Sequence, residues 1–120
     1  MNEVADSVGL HCIYELYAGN QDKLNDEAFV KEALTQAAQQ SGATLISIAS
    51  HKFNPQGVTA LALLSESHIS IHTWPERGYA AVDAFTCGSH TDPEKACNYL
   101  KQSFDSTEGS IRIFKRCLPA

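Results

Sequence analysis

Residues 57–86 read "GVTALALLSESHISIHTWPERGYAAVDAFT", and the way this run alternates decides the fold. "GVTALALL" is an apolar run that follows the Asn54-Pro55-Gln56-Gly57 turn, so with the β-branched "ATLISIASHKF" before it (residues 43–53) it predicts a hairpin. "HISIHT" puts His68, Ser70 and His72 on one face of a strand and Ile69, Ile71 and Thr73 on the other, because successive strand side chains point to opposite sides. After the turn "WPERG", the run "YAAVDAFT" returns with Ala81, Asp83, Phe85 and then Cys87 sharing a face.

Working outward, "LHCIYELY" (10–17) reads as a first strand, and "AGNQDKLND" supplies turn residues and a helix cap at Asn25 or Asp26. Val30, Ala33, Leu34, Ala37 and Ala38 recur at helical spacing up to the stop signal Ser41-Gly42. Asp92-Pro93-Glu94 opens a second helix by cap, first-turn proline and favourable dipole charge. Ala96, Cys97, Leu100 and Phe104 form its apolar stripe, and "SIRIFKR" closes the chain as a strand. The order predicts an α+β fold, a two-layer α/β sandwich with an antiparallel sheet and two helices on one face. No repeat or linker interrupts it, so residues 1–120 are expected to form a single domain.

The charge of −5, with only nine Lys and Arg, argues against nucleic acid as a partner, since phosphate binding needs a basic face. No run of eighteen apolar residues is present and "MNEVADSVG" lacks a basic leader with an apolar core, so the expected location is cytoplasmic, with no membrane partner. Cys12, Cys87, Cys97 and Cys117 are widely spaced and read as reduced thiols. No metal is expected: there is no CxxC pair, and His68 and His72, four apart on a strand, are too distant to chelate one ion easily.

Taken singly, Ser67 is a turn serine, His72 a strand histidine, Cys87 a small buried thiol, Trp74 an aromatic anchor and Phe53 a core residue. Taken together, "GVT", "SESH", "IHTWPE", "GYAAVD" and "FTCG", in unbroken order and spacing, make the chain resemble the prokaryotic pyruvoyl-dependent S-adenosylmethionine decarboxylases. The likeness reaches back through "QSGAT" and forward through "DPEKA".

The resemblance implies a self-processing enzyme. Ser67 would attack the carbonyl of Glu66, and elimination would divide the chain into a β chain, 1–66, and an α chain, 67–120. The α chain would begin with a covalent pyruvoyl group derived from Ser67, whose ketone forms a Schiff base with the substrate amine. That group replaces pyridoxal phosphate and needs no metal. His72 matches the proton acceptor in processing, and Cys87 the proton donor in decarboxylation. Thr59 stands where better-known members carry a serine that supports the oxyanion at Glu66; it keeps the hydroxyl and adds a methyl that restricts its rotamers. Phe53 and Trp74 match aromatics around the nucleoside and sulfonium, and Glu76 the acid at the ribose.

The implied function is conversion of S-adenosylmethionine to its decarboxylated form, the aminopropyl donor for spermidine, by a homodimer of processed protomers with pockets at the interface. Two departures bear on the pocket: Arg77 replaces a frequent aromatic, and the chain stops at Ala120, short of many relatives. A pyruvoyl-dependent arginine or ornithine decarboxylase on the same scaffold is the alternative, with Glu15 and Asp83 as candidate carboxylates for a basic tail. A remoter one is an uncut, non-catalytic nucleoside-binding relative.

Overall fold

The computed structural model describes residues 7–119; the amino-terminal residues read for a leader, 1–6, and Ala120 lie outside them. The hairpins predicted from 43–86 are present: β2 (Leu45–Lys52), β3 (Val58–Leu64), β4 (Ser67–Trp74) and β5 (Tyr79–Thr86) pair antiparallel in succession. β1 (Ser7–Tyr17) then inserts between β5 and β6 (Glu108–Cys117), giving the six-stranded order β2-β3-β4-β5-β1-β6.

A short helix α1 (Gln21–Leu24), read from the sequence as turn, precedes α2 (Glu27–Gln40); α3 (Pro93–Ser103) follows β5. Asn20 caps α1 by accepting the Lys23 N–H, and a buried Leu24 anchors it, two local contacts that a periodicity too short to count does not reveal. Of the two candidate caps for α2, Asp26 is the one used, accepting from Phe29 N–H at 3.1 Å. Asn25 ends α1, and its side-chain oxygen accepts the Gly57 N–H at 2.9 Å, tying that helix to the β2–β3 turn.

The apolar stripes of α2 and α3 meet the inward side chains of the sheet: Val30, Leu34, Ala37, Ala96, Leu100 and Phe104 close over Leu16, Val58, Ala60, Ile69, Ile71 and Ala84, all fully buried or nearly so. Burial of each large side chain contributes about 1.5–3 kcal/mol, so this layer is the principal source of stability. Thr73 is a polar member of the inward face; it donates to the Leu24 carbonyl at 2.8 Å and accepts from Val58 N–H at 2.9 Å, so its own burial leaves its hydroxyl paired. The helices cover one face only. On the opposite, open face lie Leu61 and Leu63, 46% and 49% exposed, together with the histidines of β4.

Candidate active site

The β3–β4 connection is a two-residue turn, Ser65-Glu66, with Leu64 and Ser67 paired across it. Glu66 is buried despite sitting at a hairpin tip. Its carboxylate accepts the Thr44 N–H at 2.9 Å and contacts His90 Nε2 at 2.8 Å. The Thr44 hydrogen bond first, and His90 second, hold the carboxyl below the usual glutamate range, so it is ionised at neutral pH. Glu66 is thereby clamped from both sides of the bond that follows it.

That bond leads into a distorted residue. Ser67 has φ of +129°, a backbone conformation costly for a side chain with a Cβ. Strand alternation would turn Ser67 inward with Ile69 and Ile71; instead its hydroxyl lies 3.1 Å from His68 Nδ1, on a neighbour that faces outward. The carbonyl oxygen of Glu66 accepts the Cys87 backbone N–H at 2.9 Å. A nucleophile, a carbonyl and an N–H donor at that carbonyl's oxygen therefore meet at one point, the arrangement an acyl transfer needs. Sequence reasoning assigned Cys87 a thiol role and missed its N–H, because a backbone donor leaves no mark on residue type.

His72, Thr59, Phe53, Trp74 and Glu76 gather elsewhere. His72 and Thr59 are directly paired across β3 and β4, with Thr59 Oγ1 3.0 Å from His72 Nδ1. They line a cleft of about 530 Å3 with Phe53, Trp74 and Glu76, a size suited to a nucleoside. His72 is five residues beyond Ser67 on β4, which at strand rise is about 16 Å away. Within one chain, therefore, neither His72 nor Thr59 reaches the Glu66–Ser67 bond, and the sequence-predicted residues fall into two groups at opposite ends of the sheet: Glu66, Ser67 and Cys87, then Thr59, His72, Phe53, Trp74 and Glu76.

Between the groups runs a second, shallower cleft of about 300 Å3, lined by Glu15, Ser70, His72, Tyr79 and Asp83 among others. Both carboxylates in it are engaged, Glu15 by the Tyr79 hydroxyl and Asp83 by His11 Nε2. Burial first, and the hydrogen bond to Glu15 next, push the Tyr79 phenol up to about 12, so it remains a donor throughout the neutral range. A further depression of about 540 Å3, between α2 and β2, is lined by Glu27, Lys31, Glu32 and Ile48 and holds none of these groups. All four cysteines are free thiols, and no set of three metal-ligating side chains converges among the described residues. None of the described helices is long and apolar enough to cross a membrane.

Known proteins share this fold and sequence. The sequence model of the family described as S-adenosylmethionine decarboxylase matches residues 10–117. The S-adenosylmethionine decarboxylase proenzyme of Synechococcus sp. (strain WH7803) is 58% identical over 113 residues, covering 94% of this chain and 88% of that one. The proenzyme of the same name from Caldicellulosiruptor saccharolyticus is 43% identical over 112 residues, 93% of this chain and 90% of the other. Among solved structures, the adenosylmethionine decarboxylase of Aquifex aeolicus VF5 superposes with a TM-score of 0.87 at 34% identity, covering 96% of this chain and 95% of that one. The AdoMetDC-delta26 monomer of Trypanosoma brucei shares the fold alone, with a TM-score of 0.63 at 19% identity over 87% of this chain and 45% of its own length. A family match over residues 10–117, close relatives and a common fold all agree: this chain belongs to the S-adenosylmethionine decarboxylase family.

Proposed function

We propose that this chain is a proenzyme that cuts itself between Glu66 and Ser67, leaving residues 1–66 and 67–120, and then decarboxylates S-adenosylmethionine to the aminopropyl donor used for spermidine. The observation that carries the substrate is the cleft of Phe53, Trp74, Glu76 and His72. Phe53 and Trp74, 47% and 44% exposed, offer aromatic faces to adenine and to a sulfonium cation, and Glu76 offers an acceptor to ribose hydroxyls. The relatives' designation as proenzymes fits a chain processed before it acts.

The residues at Ser67 suit formation of a pyruvoyl group: a hydroxyl held beside the His68 imidazole, a strained backbone and a donor on the adjacent carbonyl oxygen. Once formed, that group supplies an electron sink for loss of carbon dioxide, without pyridoxal phosphate or metal. The chain's own part is then to hold the nucleoside, exclude water and return a proton from the Cys87 thiol to the substrate carbon.

The two half-sites call for a second copy. In a homodimer whose open sheet faces meet in opposite directions, Ser67 and Cys87 of one protomer approach His72 and Thr59 of the partner subunit, and Leu61 and Leu63 become covered. The distance of about 16 Å along β4 supports this assembly, because within one chain neither His72 nor Thr59 reaches the Glu66–Ser67 bond.

A basic amino acid is the less favoured substrate. Glu15 and Asp83, the carboxylates available for a guanidinium or amine tail, already pair with Tyr79 and His11. Intact mass measurement, followed by carbon dioxide release from S-adenosylmethionine, arginine and ornithine in parallel, tests both parts. Two fragments divided at Glu66–Ser67 and release from S-adenosylmethionine alone are expected; release from arginine or ornithine instead would overturn the substrate, and an uncut chain would overturn the processing.

A further inference from the structure

We infer that His68, backed by Asp83, is the base that activates Ser67 for the first step of self-cleavage, and that this step is distinct from the one served by His72. The inference rests on the reading of Ser67 as the cleavage serine. Its ground is a continuous chain of contacts across β4, β5, β1 and β6. Ser67 Oγ lies 3.1 Å from His68 Nδ1, and His68 Nε2 faces Asp83 Oδ2 at 3.7 Å. The other oxygen of Asp83 takes a hydrogen bond from His11 Nε2, and Arg116 donates to His11 Nδ1 at 2.9 Å.

The chain has a direction. The guanidinium has no acceptor, so its bond to His11 Nδ1 makes that nitrogen the acceptor and leaves the proton on Nε2, where it points at Asp83. Asp83 thus sits between two imidazoles, accepting from His11 Nε2 on one oxygen and facing His68 Nε2 with the other. For His68, a bare Nδ1 accepting the Ser67 hydroxyl leaves the proton on Nε2, on the side of the Asp83 charge. The carboxylate then stabilises the imidazolium that forms when Nδ1 takes a proton, the role of the acid in serine triads reached by a different geometry.

Sheet register builds this cluster. His68 and His11 both lie opposite Phe85, on either side of β5, and Asp83 is two residues from Phe85 on the same face, so both rings reach it diagonally. The Phe85 ring packs against both imidazoles, at 5.4 Å from His11 and 6.3 Å from His68, which limits their rotation.

The step balances as follows. Ser67 Oγ passes its proton to His68 Nδ1 as the Oγ–C bond to the Glu66 carbonyl forms, and the carbonyl pair moves to the oxygen that accepts the Cys87 N–H. Return of that pair breaks the C–N bond, and the proton on His68 goes to the departing nitrogen, leaving an ester and a free amine with His68 neutral again. His72, about 16 Å along its own strand, takes no part in this transfer and acts on the ester afterwards, from the partner subunit.

The experiment follows self-cleavage of the full chain by intact mass, with and without hydroxylamine, which cuts the ester but not the amide. His68→Ala, and His68→Asn, which keeps a polar contact to Ser67 but cannot take up a proton, should each cleave about 100-fold more slowly, remain uncut in hydroxylamine, and retain the native circular dichroism spectrum. Added imidazole should restore cleavage to His68→Ala, whereas His72→Ala should accumulate the hydroxylamine-sensitive ester. Cleavage of a folded His68 variant within twofold of the unsubstituted chain, accumulation of ester in it, or failure of imidazole to restore His68→Ala overturns the assignment. An unsubstituted chain that never cuts at Glu66–Ser67 overturns the reading beneath it.

Discussion

At the scale of single residues, the Glu66–Ser67 bond is set apart by what restrains it. Glu66 is clamped by Thr44 and His90, its carbonyl oxygen is bonded to Cys87 N–H, and Ser67 carries the positive φ. Ser67→Ala should therefore give a folded, uncut and inactive protein by intact mass and carbon dioxide release. Cys87→Ala keeps the backbone N–H and loses only the thiol, so it should still cut while decarboxylation falls by about 100-fold or more. The lowered Glu66 pKa gives a pH signature. Its charged form contributes stability above the ordinary glutamate value of about 4.3, and that contribution fades as pH falls through the lower folded value. In a Ser67→Ala background, Glu66→Gln should lower the melting temperature at neutral pH, and the gap should close below about pH 4. A gap independent of pH would count against the clamp.

At the scale of elements, the caps and stripes legible in the sequence are the ones used. Asp92 accepts the Glu94 N–H at 3.0 Å at the start of α3, beside Pro93, so Asp92→Ala should cost about 1 kcal/mol in urea unfolding of the uncut chain. Phe104, fully buried at the end of that helix, meets Phe29 edge-on at 5.4 Å, and Phe104→Ala should cost about 3–5 kcal/mol in the same assay. The hairpins from β2 to β5 were readable because the strands are β-branched, apolar or alternating runs and the turns before β3 and β5 carry Gly and Pro, although the two-residue Ser65-Glu66 turn carries neither. The short helix α1 was not: four residues span barely one turn, and its stability comes from Leu24 in the core and from a cap that also reads as a turn.

At the scale of the whole molecule, the half-sites at opposite ends of the sheet make a sharp prediction. Neither Ser67→Ala nor His72→Ala alone should yield active enzyme, but their co-expression should. A mixed dimer has one site with both substitutions and one with neither, so random pairing restores about a quarter of full activity, read as carbon dioxide release. No recovery would place His72 and Ser67 in the same subunit's site. The sequence by itself determined the layers, the helix caps and the antiparallel hairpins, because periodicity is a property of neighbours along the chain, whereas Ser67, Cys87, His72 and the cleft aromatics stood out only through the resemblance of their motifs to a known family. It did not reveal that β1 slots between β5 and β6, bringing His11 and Arg116 to Asp83, or that Cys87 offers its N–H to Glu66. Nor did it show that residues adjacent in one motif stand too far apart to act on one bond. Those are decided by strand order, register and rise, which bring together residues remote in sequence and hold near ones apart.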